Sequence, residues 1–194
     1  QSLKSKYIAQ NVYVTSDNRD ILDLSASYGA IPIIRPGELS TDTSSSEDAL
    51  LHAIEKIEKT ISIDLVVFLQ CTSPLRETVD IDNAIDKFIK NNYDSLFSAT
   101  DMKDLCLWRS IENNFCSINF DYKARQIRQD ITPQYSENGS FYIFKPDILK
   151  KNKNRFGGKI GIYEMDAWKI YEIDEANDIE ICNYFMTTKI LKNS

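Results

Sequence analysis

Short apolar runs alternate with stretches of helical periodicity along most of the chain, a pattern that predicts βα units laid around a parallel sheet. Asn11 to Ser16 (NVYVTS) reads as a strand, Arg19 to Ser27 as a helix with Ile21, Leu22 and Leu24 turned inward, and Ile31 to Ile34 as a second strand. Ser44 is placed to cap the next helix, with Glu47 three residues on as a capping box requires. Leu50, Ala53, Ile54 and Ile57 follow at the spacing of one buried helical face. Asp64 to Gln70 (DLVVFLQ) is almost continuously apolar, as expected of a strand buried on both faces at the centre of a parallel sheet. Thr78 to Lys90 is an amphipathic helix carrying Ile81, Ala84, Ile85, Phe88 and Ile89 on one side, and Ser95 to Ala99 is the next strand.

The rhythm changes between about Asp101 and Phe144, where a Glu112-Asn113-Asn114 turn and an Asn138-Gly139 turn ahead of an alternating FYIF run read as hairpin pieces of an inserted β-rich lobe. Beyond Gly157-Gly158, Ile160 to Tyr163 and Lys169 to Ile173 read as strands and Glu175 to Leu191 as a closing helix. No repeat or linker divides the chain, so residues 1 to 194 are expected to form one α/β domain, Rossmann-like, with a mostly parallel sheet flanked by helices.

A chain of 194 residues with 42% hydrophobic and 27% charged positions has enough apolar material for a packed core. Its net charge of −6 argues against nucleic-acid binding, which needs clustered Lys and Arg facing phosphates. Cys71, Cys106, Cys116 and Cys182 form no CxxC pair, so reduced thiols in a cytoplasm fit better than a disulfide or zinc framework. No signal peptide and no apolar run of membrane length is visible, so no membrane partner is expected.

Four features carry candidate chemistry. Gln70-Cys71-Thr72-Ser73-Pro74-Leu75-Arg76 directly follows the apolar strand, where open α/β sheets bind ligands; the same residues also read as a plain turn. Glu172 and Asp174, two apart on a strand, would share a face and suit a hard divalent cation such as Mg2+, while Asp174 alone also reads as a helix cap. Arg35-Pro36 and the Ser44 to Ser46 helix start offer an anion site or an ordinary capped helix. Arg125 and Arg128 can form a fork for a carboxylate or phosphate, or be merely solvated. The single histidine, His52, reads as a surface residue, which leaves no Ser-His or Cys-His pair for nucleophilic catalysis.

Taken in order, these pieces resemble the acylneuraminate cytidylyltransferases, the CMP-sialic acid synthetase family. The resemblance lies in VTSD at Val14 to Asp17, RPGELSTDTSSS at Arg35 to Ser46, LQCTSPLR at Leu69 to Arg76, DSLFSAT at Asp94 to Thr100, ENGSFYI at Glu137 to Ile143 and EIDEANDIEI at Glu172 to Ile181. It implies a nucleotide-diphospho-sugar transferase type of fold whose inserted lobe makes a homodimer. It also implies transfer of CMP from CTP to the anomeric hydroxyl of a nine-carbon 2-keto-3-deoxy sugar acid, with Mg2+ as cofactor. By the same resemblance Arg35, Ser44 and Ser46 hold the nucleotide, Gln70 and Asn138 lie at the sugar, Arg128 is the catalytic arginine, and Glu172 and Asp174 hold the metal. Glu172 stands where the family commonly has Asp.

Two departures accompany it. The family's opening strand and R-x-x-SKG-x-x-x-KN loop have no counterpart after Gln1, so the sequence reads as a fragment expected to bind CTP weakly. The family's His-Pro stretch reads MKDLCLWRS here. The alternative is a non-catalytic homologue that binds a sugar acid or only dimerises. The residues do not choose among neuraminic, legionaminic and pseudaminic acids.

Overall fold

The computed structural model describes residues 1–102 and 105–193, without the side chains of Arg128 and Asn193. Strand β1 (Tyr13–Ser16), helix α1 (Arg19–Ser27) and strand β2 (Ile31–Ile34) form a βαβ unit, with Tyr13 opposite Ile31 and Ser16 opposite Ile34 in parallel register. Asn18 caps α1, its Oδ1 accepting from the amides of Asp20 and Ile21. Only Leu22 of the three expected inward residues is buried. Ile21 and Leu24 face solvent, because α1 has just two strands to cover.

Helix α2 (Ser46–Ile57) is capped by Ser45, whose Oγ accepts from the Asp48 amide, one residue later than the Ser44 box expected. It buries Ala49, Leu50 and Ile54. His52, expected at the surface, is half-buried, with its Nδ1 out of solvent. The second sheet contains β3 (Val66–Leu69), β4 (Ser95–Asp101), β7 (Tyr135–Phe144) and β8 (Ile160–Met165) in the order β3-β7-β4-β8. Between them lie α3 (Thr78–Lys90), the hairpin β5 (Trp108–Ile111) and β6 (Asn114–Ser117), and α4 (Pro146–Asn152); α5 (Asp178–Phe185) comes last, continued by a π-helical stretch at Met186–Ile190 and a 3-10 turn at Leu191–Asn193.

Strands β3, β4 and β8 run the same way, and β7 alone runs against them. The parallel bias is therefore present, but the interior positions belong to β7 and β4, not to β3. Among the described residues β3 pairs with β7 alone and its side chains are only half-buried. The FYIF run belongs to this sheet, not to the lobe. Alternation explains its composition: Phe141 and Ile143 meet Ile81, Ala84, Ile85 and Phe88 of α3 on one face, while Tyr142 and Phe144 meet Leu50, Ile54 and Leu149 on the other.

The lobe hairpin turns at Glu112 (φ 47°) and Asn113 (φ 67°), the two left-handed residues that a type I′ turn requires. Asn138-Gly139, expected to turn likewise, instead lies within β7 at a bulge, where the register to β4 shifts between Phe97 and Ala99. Lys169 to Ile173 is no strand. Ala167–Ile170 is a single 3-10 turn, residues 171–173 follow without strand pairing, and bends and turns at 174–177 lead into α5.

Candidate functional site

The carboxyl ends of β3, β4 and β8 open on one edge of the four-stranded sheet, and the start of β7 joins them there, with Glu137 opposite Ala99 and Phe141 opposite Leu69. Topology thus gathers residues 70–76, 138–140 and 166–174 along the edge where open α/β sheets place ligands.

The loop after β3 is stapled from within. Arg76 donates from Nη1 to the Ser140 carbonyl and from Nη2 to the Gln70 carbonyl at 2.6 Å. Burial pulls its guanidinium down to about 10, against the pull of nearby Cys71 and Asp80. Arg76 is therefore a brace that joins β7 to the loop. The Gln70 side chain is half-buried at the head of this loop.

Asn138 is wholly buried and its amide is committed. Its Oδ1 accepts from Ser98 Oγ at 2.6 Å, and its Nδ2 donates to the Lys169 carbonyl at 3.2 Å. Through these bonds it ties β4, the β7 bulge and the 166–174 segment together. The next residue, Gly139, has φ +62°, and a Cβ there would lie 2.3 Å from Glu172 Oε1 and 2.6 Å from Ser73 Oγ. The Glu172 carboxylate thus sits directly on the glycine.

Burial pushes the Glu172 carboxyl up from its ordinary value, nearby Ser73 holds it down in part, and the Asp174 charge pushes it up further. Ser73 Oγ is buried and points at this carboxylate without reaching regular hydrogen-bond geometry. Glu172 and Asp174 are neighbours electrostatically although no strand aligns them. Asp174 does not cap α5: the N-cap is Asn177, which makes no side-chain cap bond, and the Asp178 carboxylate in the first turn accepts from the Asp174 and Glu175 amides ahead of the helix.

The other expected residues lie elsewhere. Arg35, just past β2, donates from Nε to Ser40 Oγ at 2.9 Å and lies 3.9 Å from Asp17. Ser44 holds the loop ahead of α2 through Thr41 and the Glu38 carbonyl, and Ser46 is exposed at the first position of α2. The side chain of Arg128 lies outside the described residues. Arg125 folds back onto the lobe, over the Phe120 ring and against Cys106 Sγ, which removes one arm of the expected fork.

Three positions escaped sequence reasoning: Ser73 as neighbour of Glu172, Gly139 as its seat, and Lys169. The Asn-Gly pair did signal a left-handed residue, but its place in a bulge depends on partners distant in sequence. A depression of about 340 Å³ lined by Asp101, Glu164, Met165, Asp166 and Ala167 opens at the same sheet edge and holds none of the candidate residues.

Comparison with known proteins places this geometry. A family model described as cytidylyltransferase matches residues 1–193. A pseudaminic acid cytidylyltransferase from Campylobacter jejuni is 30% identical over 181 residues, covering 89% of this chain and 76% of the relative. An N-acylneuraminate cytidylyltransferase A from Danio rerio is 30% identical over 171 residues, covering 86% of this chain and 39% of that longer protein. Among solved structures, a CMP:2-keto-3-deoxy-manno-octonic acid synthetase complexed with CTP superposes with a TM-score of 0.68 at 13% identity, over 97% of this chain and 85% of the other. At that identity the likeness speaks for the fold.

Proposed function

Because the chain belongs to the cytidylyltransferase family, we propose that it transfers CMP from CTP to the anomeric hydroxyl of a nine-carbon, sialic-acid-like sugar acid. The anomeric oxygen forms a bond to the α-phosphorus, the α–β phosphoanhydride bond breaks, and pyrophosphate leaves. The observation that carries this reading is the placement of Glu172. A half-buried carboxylate, raised by burial and by Asp174, is seated against Gly139 and Ser73 at the carboxyl edge of the sheet. Two carboxylates held close together repel, and a position that costs stability in the free protein is expected where function requires it.

The residues fit Mg2+. Among the described residues no group of three or more acidic, His or Cys side chains gathers, and a magnesium ion that works with a nucleotide needs only one or two carboxylates, since phosphates and water fill its other positions. Glu172 and Asp174 would hold it; when bound it neutralises charge on the phosphates. Arg128 is assigned to charge at the phosphate or the sugar carboxylate, Arg35, Ser44 and Ser46 to the nucleotide, and Gln70 to the sugar. The protein's own task is then to position and neutralise, which suits a displacement at phosphorus.

The relatives name two nonulosonic acids at equal identity, so the sugar is decided by assay. Pyrophosphate release is measured with CTP, Mg2+ and neuraminic, legionaminic or pseudaminic acid, on protein with its native N-terminus. Turnover with one of the three supports the reading. Absence of turnover with all three, by folded protein, supports a non-catalytic homologue instead.

A homodimer through the lobe is part of the same proposal. Trp108 packs on Phe120 and Tyr122, while Trp108, Ile111 and Phe115 remain substantially exposed, an aromatic surface of the kind found at interface centres. No described helix is long and apolar enough to cross a membrane, and the four cysteines are unpaired, which suits a reducing cytoplasm.

A further inference from the structure

Lys169 is a lysine that the proposed chemistry leaves unused, and it is 4% exposed. Its Nζ lies 2.8 Å from Glu77 Oε2 and 2.7 Å from Asp80 Oδ2. Those two carboxylates begin α3: Glu77 is its N-cap, and the Asp80 carboxylate accepts from the Glu77 amide at 2.8 Å. A lysine buried in an enzyme core is costly unless paired, and here both partners come from the helix start that follows the candidate ligand loop.

The backbone of the same residue is held from the opposite side. Its carbonyl accepts from Asn138 Nδ2, the amide anchored to Ser98 on β4. Four residues on, the Ile173 amide donates to the Thr72 carbonyl at 2.7 Å. Glu172 therefore lies on a short span fixed at both ends: at Lys169 to α3 and β7, and at Ile173 to the loop after β3. The span contributes no strand pairing of its own; these few bonds, with Tyr171 stacked on Phe185 and Ile173 packed against Leu75, Cys182 and Ile190, fix where the Glu172 carboxylate points.

We infer that Lys169, through its ion pairs to Glu77 and Asp80 and its carbonyl bond to Asn138, is a positioning residue for the Glu172 and Asp174 carboxylates. The inference rests on the proposed metal role of that pair for its consequence, but the clamp itself is a property of the chain. Groups that orient metal ligands without touching the metal commonly change metal affinity by about 10–100-fold when removed.

The test uses Lys169→Met with Asp80→Asn, so that removing the ammonium does not strand a buried charge. Two quantities are read on the whole protein: amide exchange of peptides covering residues 170–176, by mass spectrometry, and Mn2+ affinity, by the electron paramagnetic signal of the free ion. Exchange in 170–176 should rise about tenfold or more while peptides of β4 and β7 stay protected, and Mn2+ should bind about tenfold more weakly. If the double variant loses its cooperative melt, Glu77→Gln alone, which leaves the Lys169–Asp80 pair in place, weakens the clamp from the other side, and the same changes are expected in smaller measure. Wild-type exchange at 170–176 in a folded variant overturns the inference. A wild-type protein that takes up no Mn2+ counts against the metal role of Glu172 and Asp174, and exchange alone then decides the clamp.

Discussion

Replacing Gly139 by alanine tests the seat of Glu172 with the smallest possible change. Two costs follow from the structure. At φ +62° an alanine must adopt the left-handed conformation, which costs about 1–2 kcal/mol. In a domain of this size that lowers the melting temperature by about 2–8 °C. The new methyl would also lie 2.3 Å from Glu172 Oε1, 3.0 Å from its Cδ and 2.6 Å from Ser73 Oγ, where ordinary contact begins at 3.4 Å. The carboxylate must retreat by about an ångström, and a displacement of about 1 Å at a reacting centre can reduce turnover about a hundredfold. The assay is pyrophosphate release against Mg2+ concentration, paired with thermal melts. Gly139→Ala is then combined with Glu172→Gln. If the glycine acts through Glu172, it should add little further loss in that background, while the stability cost persists. Turnover within twofold of wild type, with the melt lowered as expected, would refute the reasoning.

Three further outcomes are expected. In metal-free protein the Glu172 carboxyl, followed by carbon-13 NMR, should titrate above its ordinary value; Ser73→Ala should move it higher and Asp174→Asn lower. Because the folded pKa is the raised one, the stability tied to this group is lost as pH rises through that value, and Ser73→Ala should enlarge that loss. Arg128→Ala should reduce turnover about a hundredfold or more with little change in melting temperature, and near-wild-type rates would remove Arg128 from the mechanism. Trp108→Ala with Phe115→Ala should shift light-scattering mass from dimer to monomer; a wild-type protein that is monomeric at every concentration would refute the interface.

The sequence by itself determined what local pattern controls. Helices Arg19–Ser27 and Thr78–Lys90 and strand Ile31–Ile34 have the expected boundaries, because caps and periodicity are short-range signals. The Glu112-Asn113 turn formed as read, since two left-handed residues suffice to set it. The order of motifs, from LQCTSPLR to EIDEANDIEI, pointed to the family to which the chain belongs.

Tertiary structure decided what depends on partners distant in the chain. DLVVFLQ and FYIF are equally apolar, and only pairing put β7, not β3, in the interior of the sheet. Asn138-Gly139 carries the signal of a hairpin turn, but the register slip against β4 made it a bulge and gave the glycine to Glu172. Lys169 to Ile173 alternates like a strand, yet the pull of Glu77 and Asp80 on one ammonium, together with single backbone bonds to Asn138 and Thr72, holds it as an irregular span. Glu172 and Asp174 come close without a strand to align them because long-range bonds, which no local periodicity encodes, fix that span at both ends.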